Sequence, residues 1–322
     1  MKTKSAYLGR GLHSKNWKTM IDNKESGLNK LLEIIRKDKY LVIQIREDYF
    51  NIYYKGGNLG KVGPRLGFQF DHNYFKGYEY PKYESDGKEN LRKNKKKEWL
   101  GSLKETQDYQ KFINKMKDLM DQYWHWLEEV KHRSLTEKNV QHSLCVENSE
   151  DAEYTIIDLE FQVSTTSEYC YEKAETHPMG RFVAEGKENP RFDIIAVRNI
   201  DHKLCVIELK NGIHALEGKS GIGDHADSYE QSIGRNPDPF LKEMKNMIES
   251  KKSFKLLSDD FFIDNSVPEF IYAYQYEIGK GTKPKEEQKK FFKKIQSDNA
   301  CLDYSVMFLD ENDFLLSNKK IV

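Results

Sequence analysis

Apolar positions along the first third of the chain fall into two rhythms. Between residues 24 and 37, Leu28, Leu31, Leu32 and Ile35 recur at the spacing of one helical face. The runs YLVIQI and YFNIYY that follow are rich in β-branched and aromatic residues and are parted by a short polar turn, which predicts a hairpin. The stretch GGNLGKVGPRLG carries the glycines of turns, and the polar segment through KENLRKNKKKEW reads as an exposed basic loop. From 106 to 131 the positions Tyr109, Phe112, Ile113, Met116, Leu119, Met120, Tyr123, Leu127 and Val130 return once per helical turn, so one long amphipathic helix is expected there. That helix closes a first α+β module, residues 1–132.

A second module, residues 133–322, begins with a short helix under SLTEKNVQHSL, capped by Thr136, and a strand under DAEYTIIDLEFQVS. FDIIAVRN and KLCVIELK are two apolar strands that read as a hairpin about the turn Asn199 to His202. A helix is predicted over 225–250, with Phe240, Leu241, Met244, Met247 and Ile248 on one face. EFIYAYQYEI is a buried-type strand, KEEQKKFFKKIQ a basic helix and YSVMFL a last strand. The order is α, β, β, β, α, β, with an extra helix and strand appended, and the fold class is α/β.

Charge alters this picture little. The 322 residues hold 52 Lys+Arg against 52 Asp+Glu, so there is no global positive field and a polyanionic partner must be met by local patches. Cys145, Cys170, Cys205 and Cys301 are widely spaced, as expected of reduced packing thiols in a cytoplasmic protein. The start MKTKSAYLGRGLHSKNW lacks the apolar core of a signal peptide, and no apolar run reaches the roughly 20 residues of a spanning helix, so no membrane partner is expected.

The residues that carry chemistry lie in RFDIIAVRNIDHKLCVIELKNG. An acid-x-Lys triplet alone discriminates nothing here, since DNK at 22, DGK at 86, EGK at 185, DHK at 201, EGK at 217 and EMK at 243 share it. Glu208 and Lys210 differ in sitting on an apolar strand, where residues two apart share a face. Charges on a buried strand are costly unless paired or bound to metal. Asp193, on the preceding strand, is expected beside Glu208 once the hairpin pairs. Two carboxylates and a backbone carbonyl such as that of Leu209 make a partial shell for Mg²⁺, with Mn²⁺ as a substitute. Lys210 is placed to orient water or stabilise a developing anion.

These residues resemble the PD-(D/E)XK nuclease superfamily, the restriction-endonuclease-like proteins. The resemblance covers residues 134 to 276, where the order α-β-β-β-α-β recurs, and Pro190, Asp193, Glu208 and Lys210 match the motif position by position, with the Pro three residues before the Asp. It implies a mixed central sheet and metal-dependent hydrolysis of phosphodiester bonds in nucleic acid, DNA being the expected polymer, by an endonuclease of restriction or repair type. It further implies a Glu on the first helix, for which Glu137 is the candidate among Glu128, Glu129 and Glu147, and a Gln on the helix after the hairpin, for which Gln231 is the candidate. A homodimer would suit an enzyme that cuts both strands, and the first module would select substrate.

Three other readings compete. The trio could be a salt-bridged cluster on a nucleic-acid-binding or assembly protein that cuts nothing. Gly218, Lys219 and Ser220 suggest a nucleotide hydrolase, but G-x-x-x-x-G-K-[ST] needs four residues between its glycines and Gly212 to Gly218 leaves five. His142, His177, His202, His214 and His225 invite zinc, yet none pairs at zinc-ligand spacing; Lys219 and His225 are expected to be solvated.

Overall fold

The computed structural model describes residues 9–64, 68–69, 74, 108–131, 136–163, 190–216, 221–276, 283–298, 304–309 and 314–321. By their contacts they form two compact units. One comprises Arg10–Val146 with Glu249–Asp259; the other comprises Met1–Gly9, Glu147–Ile248 and Asp260–Val322.

In the first unit, α1 (Lys15–Asp22) and α2 (Gly27–Lys37) precede an antiparallel sheet of β1 (Leu41–Ile45), β2 (Phe50–Tyr54), β3 (Gly57–Val62) and the two-residue β4 (Phe68–Gln69). Ser26 caps α2, its hydroxyl accepting from the Asn29 amide at 3.1 Å, and Leu28, Leu31, Leu32 and Ile35 are buried as their spacing requires. The hairpin forms between β1 and β2. The Gly-rich stretch departs from the turn expectation, because Gly57–Val62 is strand β3, paired with β2. Its glycine has a packing reason: a Cβ at Gly57 would stand 2.5 Å from Trp124 and 2.7 Å from Met120, so only a bare backbone fits beneath these side chains. Both belong to α3 (Tyr109–Lys131), the long helix that the apolar period predicts. The unit also holds α4 (Thr136–Glu147), on which His142 and Leu144 are buried.

The second unit is built on a mixed sheet in the order β5 (Tyr154–Gln162), β6 (Arg191–Arg198), β7 (Lys203–Asn211), β8 (Glu269–Gln275) and β9 (Ser305–Leu309). β5 pairs antiparallel with β6 and β6 antiparallel with β7, whereas β7, β8 and β9 run parallel. The β6–β7 turn falls on Asn199–His202, where Arg198 holds Asp201 through two guanidinium nitrogens. Parallel pairing of β7 with β8 requires a crossover, which helices supply. These are α5 (Ile222–Tyr229), a π-helical segment at Glu230–Gly234, and α6 (Asp238–Ser253). The single helix expected over 225–250 is therefore broken; Pro237 lacks the N–H to continue a helix, and Pro239 fits the first turn of the next.

Register assigns the helices to faces. Phe161 of β5 meets Phe240 of α6 at 5.1 Å, so α6 covers the face on which Phe161 lies, whereas the Phe192 ring contacts Tyr229 of α5 and Phe270. The opposite face carries Asp193 and is covered by α5 and α7 (Lys285–Asp298); Tyr272 donates its hydroxyl hydrogen to the Ile222 carbonyl of α5, and Tyr274 donates to Gln288 of α7 at 2.9 Å. The α/β class and mixed sheet agree with expectation. Among the described residues no helix is long and apolar enough to cross a membrane.

Candidate functional site

β7 is central in its sheet and buried from Leu204 to Lys210, so the two charged residues of that stretch, Glu208 and Lys210, are shielded from bulk water. Glu208 and Lys210 are each 4 % exposed and Asp193 is 9 % exposed. The ladder between β6 and β7 runs from Arg198↔Lys203 to Ile194↔Ile207 and ends there, although β6 continues to Arg191 and β7 to Asn211. Over the same stretch β7 stays paired with β8, from Glu208↔Tyr272 to Asn211↔Gln275, and β6 stays paired with β5, down to Arg191↔Gln162. The sheet thus parts between its second and third strands at this end.

Counting on from Ile194↔Ile207 sets Asp193 against Glu208, on the first pair beyond the ladder. A strand that loses its neighbour leaves backbone groups to be satisfied otherwise. The amide of Leu209, a residue 3 % exposed, finds its acceptor in Asp193 Oδ2 at 2.9 Å. Asp193 is thereby fixed across the mouth of the split. Its neighbour on the same face is a buried ion pair, with Lys210 Nζ 3.0 Å from Glu208 Oε1. A second nitrogen reaches that same oxygen: His225 Nδ1 of α5 lies 3.1 Å away. The hydrogen bonds of the cluster run among Asp193, Leu209, Glu208, Lys210 and His225.

Two further groups share this face. Asp158 of β5 pairs with Ile195 after a bulge at Ile156/Asp158, which puts its carboxylate on the side of Asp193, and it is fully buried. Tyr272, beside Glu208 on β8, has its hydroxyl held well above its ordinary pKa by burial and by the negative charge of Glu208, so it stays protonated and serves as a donor. On this face the carboxylates of Asp158, Asp193 and Glu208 lie with the ammonium of Lys210 and the imidazole of His225.

Among the described residues no three His, Cys, Asp or Glu side chains come together as a metal-holding group. The donor set that the described residues bring here is the carboxylates of Asp193 and Glu208, hard oxygens of the kind that Mg²⁺ takes together with several waters. It does not suit zinc, whose structural sites take four protein ligands. The described histidines are placed apart from one another. His142 is buried on α4, His202 stacks on Phe262 at 3.8 Å and His225 joins the cluster. The side chain of His214, all of His177 and the Gly218–Ser220 triplet lie outside the described residues, as do Lys219 and the run KNKKK.

The remaining candidates are placed differently. Glu137 is exposed on α4, in the Arg10–Val146 unit, and Gln231 is half-buried in the π segment after α5. His225 corrects the expectation of a solvated side chain: Ile222, Ala226 and Tyr229 form the buried stripe of α5, and His225 lies on that stripe's side. Sequence spacing held the signal, since 222, 225, 226 and 229 fit one helical face; the surrounding glycines and acids of GIGDHADS masked it. Asp158 was equally hidden, inside a strand whose alternation is shifted by a bulge. No protein-family model, no curated protein and no solved structure matches the chain.

Proposed function

We propose that this chain is a Mg²⁺-dependent nuclease of the PD-(D/E)XK type that hydrolyses phosphodiester bonds in nucleic acid, with DNA as substrate. The observation that supports this most is the meeting of Asp193, Glu208 and Lys210 at the point where β6 and β7 part, buried on one face of a mixed sheet. A fold with no such chemistry has little reason to keep these charges there, because replacing a buried ion pair as a whole by apolar residues is often neutral or stabilising.

Asp193 and Glu208 would hold the ion, with the Leu209 carbonyl as a third oxygen. When bound, the ion acidifies a coordinated water and offsets charge that builds on the phosphate. Lys210 contributes a positive charge beside the reacting phosphate, and its hydrogen bond holds Glu208 in place. Asp193 is held by the Leu209 amide, so its carboxylate need not reorganise. Tyr272 anchors α5 over the site and thereby limits water access from that side.

A second reading, binding of nucleic acid without hydrolysis, draws on the closed Lys210–Glu208 pair, which satisfies the charges without an ion. One assay separates the two. Purified protein with magnesium is expected to nick or degrade plasmid DNA, and Asp193→Ala, Glu208→Ala and Lys210→Ala should each reduce cutting by at least about a hundredfold. Equal cutting by all three variants would discard the assignment; DNA binding without any cutting would favour the second reading.

A further inference from the structure

We infer that His225 is a positioning residue for the metal-binding carboxylate of Glu208, an inference that rests on the metal reading of the site. His225 comes from a helix, and the pairing it makes is set by three anchors on α5. Tyr272 bonds the Ile222 carbonyl, Tyr229 bonds the Pro268 carbonyl, and the Tyr229 ring stacks on Phe270 at 4.8 Å. Those anchors bracket His225 on both sides along the helix, and the buried residues Ile222, Ala226 and Tyr229 turn its face to the sheet. Its ring is 22 % exposed at the side-chain level against 5 % for Glu208, so it forms the outer wall of the carboxylate's surroundings.

An ionised carboxylate only accepts hydrogen bonds, so the imidazole must carry its hydrogen on Nδ1 to bond Glu208 Oε1. Lys210 donates to the same oxygen from within the strand. Lys210 approaches Glu208 Oε1 from the same strand and His225 approaches it from α5, so two separate elements hold that oxygen in place. A pre-set carboxylate loses less conformational freedom when an ion arrives, and outer partners of this kind alter metal affinity by about 10–100-fold. Helix and sheet are then joined at the ligand itself, so that a shift of α5 is felt by the ion.

The test is calorimetric titration of the full chain with manganese chloride, comparing the parent protein with His225→Ala, His225→Asn and Glu208→Ala. His225→Ala is expected to weaken manganese binding about 10–100-fold. His225→Asn is expected to regain most of the loss, since its amide nitrogen can donate from nearly the position of Nδ1. Glu208→Ala should abolish binding, and thermal melting of each metal-free variant shows whether it is folded. A merely structural histidine would lower the melting temperature and leave the affinity of the folded protein unchanged. Parent-like affinity in folded His225→Ala, or a loss that His225→Asn does not restore, would overturn the positioning role while the metal reading stands on Glu208→Ala. Absence of manganese binding in the parent would remove both.

Discussion

The Lys210–Glu208 pair gives the most quantitative prediction. Its nitrogen and oxygen are 3.0 Å apart and both side chains are 5 % exposed. At an effective dielectric of about 20, Coulomb attraction at that separation is about 5–6 kcal/mol, much of it offset by lost hydration. Removing one partner strands the other charge in the interior, which costs about 3–5 kcal/mol. Lys210→Met should therefore lower unfolding free energy by about that amount in metal-free buffer. Glu208→Gln should act similarly by stranding the ammonium. The double variant removes both charges, so its cost should fall short of the sum of the singles by about 2–3 kcal/mol. Urea denaturation followed by circular dichroism, with all four proteins in chelator, measures this cycle. Manganese provides a second arm: at a hundredfold excess over its dissociation constant the parent should gain about 2.7 kcal/mol. Lys210→Met should gain more, because the ion replaces the missing positive charge. Single variants within about 0.5 kcal/mol of the parent, with additive effects, would refute the claim of a buried, coupled pair.

Two further outcomes are expected away from the site. Burial lowers His142 from its ordinary 6.5 to about 4, with a contact to the Tyr40 backbone offsetting part of the effect. Because the unfolded chain binds this proton more readily than the folded one, stability should be full above pH 6.5 and fall as pH drops towards 4. The loss through this residue is about 3 kcal/mol, and the difference between parent and His142→Leu in denaturation across that window measures it. Gly57→Ala should destabilise the first unit by about 1–3 kcal/mol, because the new methyl would stand 2.5 Å from Trp124 and 2.7 Å from Met120. A melting temperature equal to that of the parent would show that these side chains yield freely.

Much of the β architecture was legible from period alone. YTIIDLEFQ, RFDIIAVR and KLCVIELK are apolar enough that only burial in a central sheet satisfies them, and the turn between the last two is marked by Asn199 and Asp201. Glu208 and Lys210 stood out for the same reason, as charges inside such a run. Other features were not legible because they depend on partners distant in sequence. β3 looks like a turn until Trp124 and Met120 explain why Gly57 must be bare. The parting of β6 from β7 after Ile207 depends on tertiary pairing, and both strands keep their outer neighbours through it. His225 belongs to an eight-residue helix, too short for its period to outweigh the glycines before it. The site was thus half readable: its acids and lysine from strand pattern, its geometry and histidine only from tertiary contacts.

The most direct measurement is anomalous diffraction from crystals of the full chain soaked in manganese. An ion coordinated by the carboxylates of Asp193 and Glu208, near the mouth between β6 and β7, is the predicted result. Well-ordered density for both carboxylates with no anomalous peak beside them, at a manganese concentration that saturates ordinary magnesium enzymes, would contradict the account.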